Sequence, residues 1–420
     1  KIKIYDNKNY NTSKKIFGKL IIQNQNQLFK MKNYNLAHDT IGTNEYKVME
    51  RFIKSRKYLN QSIYTKNFEK KFSKFLNLKY SIFVNSGSSA NLLIAQVLLE
   101  GNYLKNKTVV LPAVSWSTTV SPFLQLGYKV VLCDSDKDNL GLCAKNLDTI
   151  CKKFNPGLVA VVNVLGHSNN FEKIKNLKKK YNFKLIEDNC ESLGSEIGKK
   201  KLGTFGLASS HSFYYGHHIS TIEGGMISTN DRNFYNLSLA IRSHGWARDM
   251  EKKFRLNLEK KFKVDEFKSL FTFYYSGFNI RSTDFNASIG IEQMNKIYKI
   301  SKLRHKNYNR YKLNLKPFWF QKSNLRTLSS FGYATFVKNR LEVFKFLKSQ
   351  KIQSRPLICG NMAQQPFLKR NIKKINHLDN AEFVDKYGIY LPNHANLSLK
   401  DVDYISNKFL QIAKPIFFKN

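Results

Sequence analysis

Apolar and polar positions fall into two kinds of block along this chain. Short apolar runs bounded by turn residues recur at 80–84, 108–111, 129–134, 158–165, 183–186, 207–215 and 226–229, each with a strand's length and composition. Between them a helical spacing of apolar residues recurs over 65–76, 144–154, 171–181, 234–241 and 285–297. The segment 44–53 places Tyr46, Met49, Phe52 and Ile53 on one helical face. In 65–76, Thr65 is the expected N-cap and Phe68, Phe72, Phe75 and Leu76 point inward. Strands alternating with helices predict an α/β fold with a mostly parallel central sheet flanked by helices. A strand-like run at 331–337 and a helix at 340–348 predict a smaller C-terminal α+β domain. The expected organisation is a basic, asparagine-rich N-terminal arm (1–40), a large domain (41–295) and a small domain (296–420).

One stretch stands apart: the segment from Ser212 through His217 and His218 to Glu223, Gly224 and Gly225. Its apolar run-in, polar middle and glycine exit predict a strand–turn–strand edge that presents side chains into a cleft. Histidine carries protons near neutral pH but forms no imine with a carbonyl. On its own the pair also fits two ordinary turn histidines. Upstream, the run 80–84 passes through Asn85, Ser86, Gly87, Ser88 and Ser89 into an apolar helix. A small polar turn entering a helix offers free N–H groups and a positive dipole end to a phosphate; an ordinary capped turn has the same look. Trp116 follows the 108–111 run, either as a flat platform for a ring or as a core residue. Asp188 and Glu191 follow the 183–186 run, where strand C-terminal ends meet ligands in such folds.

Taken together, these segments resemble the sugar aminotransferase family of fold-type I pyridoxal-phosphate (PLP) enzymes. In that family a lysine five residues after the serine tethers the cofactor; here Ser212 plus five is His217. The resemblance is to the lysine-less sugar 3-dehydratase branch and spans nearly the whole chain. It implies that Gly87, Ser88, Ser89 and Ser212 hold the phosphate end, that Trp116 stacks on the ring, and that Asp188 bonds the pyridine nitrogen with Glu191 in the same pocket. It implies that Asn279, in the segment 277–284, reaches the cofactor of a neighbouring subunit, so that a homodimer shares its active sites. Arg248, in His244-Gly245-Trp246-Ala247-Arg248, Phe271 and Arg355 are implied at the substrate; Arg248 also reads as a solvated arginine and Asn279 as a helix-entry residue. The implied reaction uses glutamate to convert PLP to the pyridoxamine form (PMP). His217 then moves the protons that release the carbon-3 hydroxyl of a nucleotide-linked 4-keto-6-deoxy sugar, expected to be GDP-4-keto-6-deoxymannose, in deoxysugar and O-antigen synthesis. A CDP-linked substrate, a plain aminotransferase and a non-catalytic basic protein on a decayed scaffold remain alternatives.

Charge and cysteines change this picture little. The net charge is +40, which raises nucleic-acid binding, but the lysines are scattered, with no long basic tail, and no nucleic-acid partner is expected. Five cysteines are present; the odd number and the lack of Cys-x-x-Cys or zinc spacing predict a reduced cytoplasmic protein without a metal site. With only Cys359 after the histidine stretch, an iron–sulfur relative is disfavoured. No run of eighteen apolar residues predicts a membrane span, and the polar N-terminus shows no secretory segment.

Overall fold

The seven apolar runs become strands of one sheet. The computed structural model describes residues 32–372 and 377–418; of the expected arm, residues 1–31 lie outside this set. The strands are β1 (Tyr80–Val84), β2 (Thr108–Pro112), β3 (Lys129–Cys133), β4 (Leu158–Val162), β5 (Lys184–Asp188), a two-residue hairpin β6 (Glu196–Ile197) and β7 (Lys200–Lys201), β8 (Ala208–Ser212) and β9 (Gly225–Thr229). The central sheet runs in the order β1-β9-β8-β5-β4-β2-β3. Strands β8, β5, β4, β2 and β3 are parallel, while β9 is antiparallel to both β8 and β1.

Both faces of the sheet are covered, which is why its strands read as apolar runs rather than alternating ones. Val109 and Leu111 pack on one side with helices Gly87–Glu100 and Ser117–Gln125. Val110, between them, packs on the other with helices Ala144–Phe154 and Phe171–Tyr181. A second sheet holds β10 (Gly332–Phe336), β11 (Arg355–Pro356) and β12 (Gly388–Pro392), antiparallel in the order β10-β12-β11.

Four expectations are corrected. The β8–β9 pair is interior to the sheet, because β1 closes over β9. Thr65 is not an N-cap: its helix is Ile63–Leu76, and the side chain that serves its first turn comes from elsewhere. Buried Asp284 accepts from the backbone N–H groups of Ser62 (2.7 Å), Tyr64 (3.0 Å) and Thr65 (2.9 Å) and from the Thr65 hydroxyl (2.7 Å). The 285–297 helix is two helices, Asp284–Gln293 and Ile297–Asn314. Helix Thr43–Lys54 forms, but of its expected apolar face only Phe52 is buried; Tyr46 and Ile53 are 63% and 62% exposed.

The described part of the arm ties the two sheets' regions together. Tyr34 pairs with Ile352 through Tyr34 N–H to the Lys351 carbonyl and Gln353 N–H to the Tyr34 carbonyl, each 2.9 Å. Further along, the Thr40 hydroxyl donates to buried Gln293 Oε1 at 2.7 Å. The same Oε1 accepts from the N–H of Ser220, in the histidine loop, at 3.1 Å.

Candidate active site

The segments that follow β1 and β5 and the end of β8 meet at Gly87, Cys190 and Ser212. Helix Gly87–Glu100 begins there, capped by Ser86, whose Oγ accepts from the Ser89 N–H at 3.0 Å. The first intrahelical bond runs from the Ala90 N–H to the Ser86 carbonyl, so the N–H groups of Gly87 and Ser88 have no partner within the helix. A side chain at 87 has no room: a Cβ there would lie 2.7 Å from Ser212 Cβ and 3.0 Å from Cys190 Sγ. The turn thus lies flush against the end of β8, and Ser88 Oγ lies 3.0 Å from Thr118 Oγ1.

Asp188, at the end of β5, is held by two helices at once. Its Oδ2 accepts from Asn91 Nδ2 at 2.9 Å and Thr119 Oγ1 at 2.7 Å, and its Oδ1 from the Cys190 N–H at 3.2 Å. Oδ1 keeps a lone pair for one more donor. Trp116, just before helix Ser117–Gln125, leaves 53% of its surface open. Glu191 accepts from the Leu165 N–H at 2.9 Å, and burial, offset in part by that bond, pushes its carboxyl up to about 8. Burial, with Glu191 near, lifts the Cys359 thiol to about 11 and the Tyr390 phenol to about 12, while Arg355, bonded to Tyr390, opposes the latter.

His217 sits in the loop between β8 and β9, and its Nδ1 lies 2.8 Å from the Cys190 carbonyl oxygen. That acceptor requires the proton on Nδ1, which leaves the Nε2 lone pair as a base. Burial holds the imidazole down at about 4, against the opposing pull of the Cys190 carbonyl. Phe331 and Tyr214 flank the ring at centroid distances of 5.2 and 6.4 Å.

The structure therefore brings Gly87, Ser88, Ser89, Asp188, Glu191, Ser212 and His217 into one neighbourhood, with Trp116 at the start of one helix that holds Asp188, and with Arg355 bonded to Tyr390 near Glu191. The remaining three make no hydrogen bond or ring contact with these residues among the described ones. Arg248 stacks on the Trp246 ring at 4.3 Å, and Phe271 stacks on the same ring at 5.4 Å. Arg248 and Asn279 line a cavity of about 920 Å³ with Lys66, Lys70 and Arg281. That cavity includes none of His217, Asp188 and Gly87. Residues that the sequence did not single out are Asn91 and Thr119, which fix Asp188, and the Cys190 carbonyl. Asn91 and Thr119 lie near the starts of helices Gly87–Glu100 and Ser117–Gln125, and the second of these helices was not expected from the sequence.

An anion site with two free N–H groups, a carboxylate with an open lone pair and an exposed indole suit a phosphorylated aromatic ring, and that donor set fits PLP. Fold and site define a fold-type I PLP enzyme. The model of the DegT/DnrJ/EryC1/StrS aminotransferase family matches residues 39–410, and the chain belongs to that family. It is 34% identical over 387 residues to the GDP-4-keto-6-deoxy-D-mannose 3-dehydratase of Escherichia coli O55:H7, covering 89% of this chain and 99% of the relative. It is 33% identical over 380 residues to the Yersinia pseudotuberculosis protein of the same name, covering 87% and 95%. A solved E. coli GDP-4-keto-6-deoxy-D-mannose-3-dehydratase with bound hydrated PLP superposes with a TM-score of 0.82 at 32% identity, over 90% of this chain and all of that one. Another structure of that enzyme holds a trapped PLP-glutamate geminal diamine, with a TM-score of 0.81 at 32% identity over the same shares.

Proposed function

We propose that this protein is a PLP/PMP-dependent 3-dehydratase that removes the carbon-3 hydroxyl of GDP-4-keto-6-deoxymannose, with glutamate as amine donor. One observation carries the reading: the position where the family places its tethering amine holds an imidazole whose Nδ1 is engaged and whose Nε2 is free. The cofactor, once bound, supplies exchange of an amine with a carbonyl and an electron sink. Gly87 and Ser88 N–H groups and the hydroxyls of Ser88, Ser89 and Ser212 would hold its phosphate; Trp116 would cover the ring, and the Asp188 carboxylate would accept a hydrogen bond from the ring nitrogen and so keep that nitrogen protonated. Protonated Glu191 donates to an oxygen in the same pocket. His217 Nε2 removes the proton from the carbon bearing the amine and delivers it to the departing carbon-3 hydroxyl. Overall, glutamate is oxidised to 2-oxoglutarate and ammonia while the sugar loses one oxygen.

Arg248, Phe271 and Asn279 enter this reading as the partner's contribution in a homodimer with shared active sites, Asn279 at the phosphate and the other two at the substrate, with Arg355 acting at the site of its own chain. Arg248 and Asn279 line a cavity that does not include His217, which supports that arrangement. So does the exposed apolar set Tyr46, Ile53, Tyr58, Leu59 and Ile63, a surface that favours burial against a second copy. The enzyme works in the cytoplasm. Among the described residues no helix is long and apolar enough to cross a membrane.

The test is turnover of GDP- and CDP-linked 4-keto-6-deoxy sugars with PLP and glutamate. Equal amounts of ammonia and 2-oxoglutarate from the GDP sugar support the reading. Ammonia from the CDP sugar alone reassigns the nucleotide, and ammonia from neither ends it.

A further inference from the structure

Arg304, on helix Ile297–Asn314, is 2% exposed. No ion pair among the described residues includes it. Its Nη1 donates to the carbonyls of Ser330 (3.1 Å), Phe331 (3.2 Å) and Asn393 (2.8 Å), and its Nε has no partner. Burying a guanidinium against carbonyl dipoles alone is costly, so this is a poor choice for stability and a reason to look for another use.

The stretch Arg304 grips is the one on which the catalytic loop rests. The Phe331 ring lies 5.2 Å from His217 and 6.1 Å from His218, and the guanidinium lies 5.9 Å from the same ring. His218 Nε2 adds a bond to the Ser329 carbonyl at 2.8 Å, and the Ser329 N–H donates to Ser195 Oγ at 2.9 Å. The Phe331 N–H closes the set on the Leu165 carbonyl at 2.9 Å. Residues 329–331 are thus a ledge fixed from four directions.

We propose that Arg304 is a positioning residue for His217: it fixes the 329–331 ledge, whose Phe331 ring packs against the imidazole. The groups facing His217 divide by sign. Asp188 and the Cys190 carbonyl favour the imidazolium; burial and Arg304 oppose it. His218, itself held neutral by burial and Arg304, adds no charge of its own. Tyr214 meets the ring edge-on. This inference rests on His217 as the proton carrier, yet the charge state of that ring is measurable without turnover.

The experiment compares Arg304→Gln, which keeps a donor and removes the charge, with Arg304→Lys, which keeps the charge. Histidine ring carbons are labelled with carbon-13, the His217 resonance is identified by its loss in His217→Asn, and the cofactor-free full chain is titrated. Wild-type His217 stays neutral down to about pH 4. In Arg304→Gln its midpoint shifts upward, and in Arg304→Lys it stays near wild type. In the holoenzyme the acid limb of kcat/KM moves upward in Arg304→Gln, and kcat falls about tenfold with little change in sugar KM. A titration and pH profile in Arg304→Gln that superpose on wild type, or an equal shift in both variants, overturn the proposal. If Arg304→Gln does not fold, Phe331→Leu carries the test: a lower kcat at unchanged sugar KM supports the ledge, and a wild-type kcat overturns it. A wild-type protein that releases no ammonia ends the dehydratase reading, while the titration still decides Arg304.

Discussion

In the proposed reaction, the deciding atom is Nε2 of His217. Replacing that ring with an amine, His217→Lys, supplies a nucleophile toward the cofactor aldehyde and removes the proton carrier. Ammonia release from the GDP sugar is expected to fall at least about a hundredfold, and mass spectrometry after borohydride reduction should find the cofactor bound to residue 217. Wild-type ammonia release in this variant would remove His217 from its role. Glu191 gives a second prediction. Its carboxyl titrates near 8 when folded because it is buried, and at the ordinary carboxylate value when unfolded. The folded chain therefore binds the extra proton, and this group's contribution is complete below the unfolded value and is lost as pH rises toward 8. Glu191→Gln removes that loss: its unfolding free energy from urea denaturation, relative to wild type, should rise from pH 5 to pH 8, by at most about 1.4 kcal/mol per pH unit. A constant difference between the two proteins would sink this assignment. The candidates His217 and Asp188 were legible in the sequence, His217 by its place five residues after Ser212 where the family resembled carries a lysine, and Asp188 by its place at the end of a strand. The Cys190 carbonyl and Arg304 were not, since a backbone oxygen has no letter and Arg304 reaches the site only through tertiary packing.

At the scale of elements, the strand β1 and the helices Ala144–Phe154 and Phe171–Tyr181 match the sequence pattern end to end, because their boundaries are set by local turn chemistry. Helix Ile63–Leu76 shows where that logic stops. Its first-turn N–H groups are served by Asp284, 219 residues from Thr65, and no local capping signal could have announced it. Asp284→Ala leaves those buried donors unsatisfied and should cost about 3 kcal/mol of unfolding free energy, read from urea denaturation. A change under about 0.5 kcal/mol would show that water replaces the carboxylate there. The amphipathic pattern of 44–53 was legible as a helix, but periodicity reports which residues share a face and not whether this chain alone covers them. Tyr46 and Ile53 remain open in the single chain.

At the scale of the whole molecule, a net charge of +40 should draw in an anionic nucleotide sugar and be screened by salt. Raising ionic strength from about 0.05 to 0.5 M should raise sugar KM several-fold and leave kcat unchanged; a flat KM would show that the field is irrelevant to binding. Shared sites make a separate prediction. His217→Asn and Asn279→Ala are each expected to be nearly inactive, but mixing and reassembling them in equal amounts should restore about one quarter of wild-type activity, because half the dimers carry one intact site. No recovery, with exchange of subunits verified, would place Asn279 in its own chain's site or in none. The fold class was legible at this scale from strand–helix alternation, whereas the proposed sharing of the site between chains rests on what the resemblance of the segment 277–284 implies and on no pattern of apolar and polar residues.

The loop that carries His217 is spliced between β8 and β9, two strands hydrogen-bonded on both sides. Its ends are secured by the sheet whatever residue occupies its middle. A single codon could therefore be rewritten without endangering the architecture, giving descent a short path from catalysts that add nitrogen to sugars toward ones that deoxygenate them.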